Sequence, residues 1–125
     1  MMSKSFIDQV HYIRIPVRDL EQSAQWYREV LGFQLLTITD DPFAILKINE
    51  GPFLIILVPT EEETFTHFTI NKETAFSIAF TSPELTQFHQ YLIDHGVKVD
   101  EIQEDNGHAF FTFYDINGNK LQTHW

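Results

Sequence analysis

One supersecondary unit is written twice along this chain, and no other feature constrains the fold as much. Each copy runs through an apolar strand, an amphipathic helix closed by glycine, and three short strands. The first begins YIRIPV-RDLEQSAQWYREVLGF at Tyr12 and the second FSIAFT-SPELTQFHQYLIDHGV at Phe76, with Tyr27 and Gly32 answered at the same spacing by Tyr91 and Gly96. A duplicated βαβββ unit sets two curved half-sheets facing each other around a pocket. The lining of that pocket is read by alternation, because successive side chains of a strand point to opposite faces.

With 125 residues, 14.7 kDa and 43% apolar side chains, the chain has enough for one compact domain of two half-domains but not for two ordinary domains. We expect a single domain over residues 1–125, with module one at about 5–59, a crossover at 60–74 and module two at 75–125. Cysteine is absent, which removes disulfides, thiolate metal sites and cysteine nucleophiles, and fits a cytoplasmic location. The opening residues MMSKSFIDQV carry no long apolar core of a signal peptide. No apolar run approaches the roughly 20 residues of a membrane-spanning helix, so no membrane partner is expected. A formal net charge of −10 argues against nucleic acid, whose phosphates are held by clustered Lys and Arg. The acidic pairs Asp40-Asp41, Asp100-Glu101 and Glu104-Asp105 fall in turns, and read as a solvated surface.

In the first strand Ile13, Ile15 and Val17 share one face and Tyr12, Arg14 and Pro16 the other, so the aliphatic set packs on the helices. Asp19 followed by Gln22 reads as a helix start. Leu20, Ala24, Tyr27 and Leu31 recur at helical spacing, and Gly32 supplies a left-handed stop. Strands from Gln34, Phe43 and Phe53 then form a meander broken at Asp40-Asp41-Pro42 and Glu50-Gly51-Pro52. In the second copy Ser82 is the expected cap, Pro83 the first helical residue, and Leu85, Phe88 and Leu92 the inner stripe before Gly96. Strands are expected at about 97–102, at His108 to Tyr114 and from Lys120, the last two joined by a hairpin at Asn117-Gly118.

An opening strand ending V-x-D-L, a helix ending W-Y-x-x-V-L-G-F and a closing F-x-D-x-x-G-N hairpin, in this order, resemble the vicinal oxygen chelate superfamily of glyoxalases, bleomycin-resistance proteins and extradiol dioxygenases. The resemblance implies an α+β fold in which two βαβββ modules form an open, incomplete barrel with a concave cleft. It also implies a ligand or a divalent metal in that cleft, held in metal-dependent members by His, Glu or Gln. The corresponding positions here are Tyr12, Ile55 or Ile56, Ser77 or Ala75, and Gln122. Only Gln122 is a plausible neutral-pH ligand, since tyrosine keeps its proton there. No metal and no other cofactor is therefore expected.

If Gln122 faces the cleft then His124 does too, with Lys120 near the mouth. Together with Tyr12, Arg14 and Ser77 this puts a few polar groups into an apolar lining, the usual make-up of a small-molecule pocket. Each has a plainer reading: His124 as a satisfied or exposed terminal side chain, Arg14 as a rim or cross-sheet pair, Tyr12 as an aromatic wall. No role is assigned to His67, His89, His95 or His108. Phe43, Phe53, Phe65, Phe68 and Phe110 are open to core, cleft or dimer seam. The function expected is a metal-free protein binding a small organic molecule, in the manner of sequestering resistance proteins. The alternative is a glyoxalase-like lyase or isomerase, or a dioxygenase-type enzyme, with a site rebuilt on His124 and Gln122. A homodimer is expected, because half-sheets leave edges to cover.

Overall fold

The computed structural model describes residues 4–125. The chain forms β1 (Tyr12–Val17), α1 (Leu20–Glu29), β2 (Gln34–Ile38), β3 (Ala44–Lys47), β4 (Leu54–Pro59), β5 (Phe68–Ile70), β6 (Glu73–Ala75), β7 (Ala79–Thr81), α2 (Leu85–Asp94), β8 (Gln103–Asp105), β9 (His108–Tyr114) and β10 (Lys120–His124). Two four-stranded sheets have the same plan, β1-β4-β3-β2 and β7-β10-β9-β8, each with one parallel pair at the opening strand. The sheets are open and not closed into a barrel, and the fold is mixed α+β.

Alternation decides which face each sheet buries. Ile15 and Val17 of β1, Ala44 and Leu46 of β3, and Ile55 and Leu57 of β4 are almost fully buried, and Ala24 and Tyr27 of α1 pack on them. In the second sheet Phe111, Phe113 and Leu121 play that part against Leu85 and Leu92 of α2. Fully burying one such side chain is worth roughly 1.5–3 kcal/mol, so the helix-side faces are what fix the register. The two cores join through Leu31 and Ile78, which pack against both.

Helix α1 starts as its sequence dictates: the Asp19 carboxylate accepts the Gln22 N–H at 3.0 Å. Gly32, at φ 75°, lets the chain turn away three residues past the last helical residue, a conformation that costs other side chains. Helix α2 departs from expectation. Its N-cap is Glu84, which makes no side-chain capping bond, because the Ser82 hydroxyl is held 2.5 Å from Thr123 Oγ1 on β10. Three other elements differ. The opening strand of the second sheet is only Ala79–Thr81, since Ser77 donates to Thr66 O and is drawn off the ladder. The stretch at 97–102 makes a single bridge, Val99 to Phe113, and the strand proper starts at Gln103. Finally, residues 68–75 fold into a hairpin whose turn residues Asn71 and Lys72 both have positive φ, as a tight β-turn requires.

Candidate functional site: the open sheet faces and two cavities

The face of each sheet turned away from its helix has no helix packed on it among the described residues. On the first sheet it carries Tyr12, Arg14, Ile45, Leu54, Ile56 and Val58, with Arg14 opposite Ile56 and Ile56 opposite Ile45. On the second it carries Phe110, Thr112, Tyr114, Lys120, Gln122 and His124, with Gln122 opposite both Thr112 and Ala79. All of these are half-buried or exposed, whereas Ile15, Ile55, Leu57, Phe111, Phe113, Leu121 and Thr123 between them are buried. Tyr12 is 45% exposed.

Tyr12 and Arg14 thus share one open face, and Gln122 and His124 share the other. These four line neither of the two cavities described below, whereas Ser77 lines the inter-module one. His124 is not a loose terminal side chain: its Nδ1 lies 2.5 Å from Nε2 of His108, so one imidazole donates to the other across β9 and β10. Nothing in the sequence marks His108 as that partner except its diagonal position in the ladder. Lys120 is tied at the edge of the same face, donating through Nζ to Thr74 O at 3.2 Å. The hairpin of β5 and β6 therefore borders the open face of the second sheet.

The closing motif is a clamp between modules. Asp115 Oδ1 accepts the N–H groups of Asn117 and Asn119 at 2.8 and 2.9 Å, and Oδ2 accepts Asn119 Nδ2 and the Tyr27 hydroxyl. Asn119 Nδ2 also donates to Pro16 O at the end of β1, and Asn117 Nδ2 to Ser23 of α1. Burial, together with the Asp115 carboxylate, pushes the Tyr27 hydroxyl well above its ordinary pKa, so it stays a donor. The crossover is pinned to this turn, with Thr66 N–H on Asn119 Oδ1 and Lys120 N–H on His67 Nδ1.

Two sizeable cavities lie among the described residues. One, of about 650 Å³, lies between the modules on the helix side, bounded by Ile13, Phe33, Ile48, Phe53, Phe80 and Phe113, and no charged residue lines it. The other, of about 590 Å³, lies beside the clamp and is walled by Trp26, Phe65, His67, His95, Lys98 and Tyr114. Of the phenylalanines left open by sequence, Phe53 and Phe65 thus line cavities, Phe110 sits on the open face and Phe68 is exposed on β5.

The positions that would carry a metal do not suit one. Ile55 is wholly buried under α1, Ile56 is aliphatic, Tyr12 is an ordinary exposed tyrosine and Ser77 is committed to Thr66 O. Among the described residues no group of three His, Asp or Glu side chains comes together as a metal site. Gln122 alone offers one neutral oxygen, whereas catalytic zinc sites use about three protein ligands.

This topology and these sheet faces define a glyoxalase-type fold of two tandem βαβββ units. The sequence pattern of the Glyoxalase/Bleomycin resistance protein/Dioxygenase superfamily matches residues 9–123, and the chain belongs to that superfamily. It is 26% identical over 125 residues to a catechol-2,3-dioxygenase from Bacillus subtilis, covering 90% of this chain but only 40% of the length of that relative. Among solved structures it is similar to an antibiotic binding protein from Streptomyces sp. CB03234, with a TM-score of 0.79 at 20% identity over 96% of this chain and 97% of that one. It is also similar to a lactoylglutathione lyase from Agrobacterium tumefaciens, with a TM-score of 0.72 at 15% identity over 96% and 95% of the two chains. At these identities the structural likeness establishes the fold alone. Among the described residues no helix is long and apolar enough to cross a membrane.

Proposed function

We propose that the chain is a cytoplasmic, metal-free binding protein for a small organic molecule, held by Tyr12, Arg14, Gln122 and His124 on the open sheet faces together with Ser77 from the inter-module cavity. The observation that carries this is the open face of each sheet, apolar at its centre and bearing a few polar groups. The antibiotic-binding structural relative supports the same reading. Because Arg14 and Gln122 lie on separate faces of one chain, the cleft is completed in a homodimer in which the first sheet of one copy faces the second sheet of the other. Ser77 then stands at the edge where the modules meet. Arg14 selects an anionic or carbonyl-bearing ligand by a charge-assisted hydrogen bond.

A catalytic reading is favoured by one observation, the His108–His124 pair beside Gln122, which offers a proton relay on the second open face. Binding without turnover remains the leading reading, since no third group orients that pair among the described residues.

Ligand extracted from freshly purified protein by denaturation, identified by mass spectrometry and titrated back, tests the proposal. Arg14→Ala should weaken binding about ten- to a hundred-fold with an unchanged melting temperature. Unaltered affinity in that variant, or sedimentation at micromolar concentration showing only a 14.7 kDa species, would overturn it.

A further inference from the structure

The cavity beside the clamp is chemically unlike the open faces and unlike the inter-module cavity. Trp26, Phe65 and Tyr114 supply aromatic walls, and the His67 ring stacks on Phe65 with centroids 4.7 Å apart. Three donors in its lining have no acceptor among the described residues. The Trp26 indole N–H is one. Lys98 is another: it makes no ion pair and rests over the Tyr114 ring, its Nζ 4.5 Å from the centroid. The third is His67 Nε2, because Nδ1 already accepts the Lys120 N–H and a neutral ring then carries its proton on Nε2.

The acceptors are scarcer. Asp115 is the only acid in the lining, and its two oxygens are consumed by Tyr27, Asn117 and Asn119. His95 faces the same cavity with Nδ1 committed to Tyr91 O, leaving one imidazole lone pair. A cation would find no free carboxylate here, and two of the aromatic rings, Phe65 and Tyr114, already carry Arg18 and Lys98. A compact anion carried on a flat ring would find donors for its oxygens and faces for its ring.

We propose that this cavity is a second binding site, for a small aromatic carboxylate, with Lys98 and His67 on the carboxylate and Trp26 and Tyr114 against the ring. It shares no lining residue with Tyr12, Arg14, Ser77, Gln122 or His124 and meets the open face of the second sheet at Tyr114, so Arg14 and Lys98 variants test the two readings separately.

The probe is 2-naphthoate, titrated against protein carrying Trp125→Phe so that Trp26 is the sole indole reporter. Saturable quenching with a dissociation constant at or below about 1 mM is expected. Lys98→Gln, at an exposed side chain, should weaken it about tenfold, and Lys98→Glu further. Arg14→Ala should leave it unchanged. Absence of saturation, equal affinity for neutral 2-naphthol, or a loss with Arg14→Ala but none with Lys98→Gln would each overturn the assignment.

Discussion

Tyr27 and Tyr91 stand at the same place in the duplicated unit, and the structure uses them differently. Tyr27 is 1% exposed and its hydroxyl is locked to Asp115 in the other module. Tyr91 is 36% exposed and donates to Val30 O at the end of α1. The turns facing the two helices differ in parallel. The turn between β9 and β10 grips α1, β1 and the crossover through Asp115 and Asn119. Among the described residues its counterpart between β3 and β4 makes local contacts, the bond of Gly51 N–H to Ile48 O and the Lys47–Glu50 ion pair, and there the 650 Å³ cavity opens. Duplication has kept the apolar pattern of both halves, while the polar clamp was built at one end only. The consequence is a molecule tied firmly at one junction and loosely at the other.

The largest test of that asymmetry is Asp115→Ala. It strips the acceptor from a buried hydroxyl, two backbone N–H groups and an amide at once, and each buried donor left unpaired costs about 1–3 kcal/mol. A loss of about 3–5 kcal/mol by urea denaturation is expected. A loss under about 1 kcal/mol, the level of a surface hydrogen bond, would mean the clamp is incidental.

Much of this was legible in advance, and the part that was not has a physical reason. Both helices and the course of β9 and β10 follow from apolar periodicity, which needs only the residue's own neighbours in sequence, while the α+β fold is what the resemblance carried by the duplicated motifs implies. Asp19 as a cap is equally local. Ser82 was not, because a hydroxyl on β10, Thr123, outcompetes the helix end for it. The hairpin at 68–75 is stabilised by Lys120 reaching Thr74 from more than forty residues away, a contact no local pattern reveals. Along each strand, alternation puts Tyr12 with Arg14 and Gln122 with His124. The two pairs belong to different sheets, and alternation orders residues within a sheet and says nothing of how two sheets are turned.

The tyrosines themselves give the next test. Tyr27→Phe removes a hydrogen bond to a charged group, worth about 1.5–3 kcal/mol, and Tyr91→Phe a neutral one worth about 0.5–1.5 kcal/mol. The two also separate by pH. Folding raises the Tyr27 pKa, so its contribution is complete below about pH 10 and is lost as pH climbs past the value of the unfolded chain. Wild type and Tyr91→Phe should share that alkaline decline in urea melts, and Tyr27→Phe should lack much of it. Equal losses in the two variants would erase the comparison.

A smaller contrast separates the helix starts. Asp19→Ala deletes the bond to Gln22 N–H and should cost about 1 kcal/mol, whereas Glu84→Ala deletes no capping bond and should cost almost nothing. Conversely, Glu84→Asp shortens the side chain to one that caps well, and should stabilise by a few tenths of a kcal/mol up to about 1. Thermal melts of the three variants decide it, and a cost for Glu84→Ala matching that for Asp19→Ala would show that α2 is capped after all.

The smallest effect expected lies where the crossover meets the clamp. Burial, and then the nearby Lys120 ammonium, lower the His67 pKa, against a weaker pull upward from Asp115. The folded chain therefore binds its proton less readily than the unfolded chain does. Its stability contribution is complete above about pH 6.5 and declines as pH falls through that value towards the depressed folded one. Geometry gives the same sign, because protonating Nδ1 would remove the acceptor of the Lys120 N–H. His67→Phe keeps an aromatic ring against Phe65 and cannot take up the proton. A shallow acid slope in wild-type melting temperature that flattens in His67→Phe is the expected result. The same slope in both proteins would remove His67 as its source.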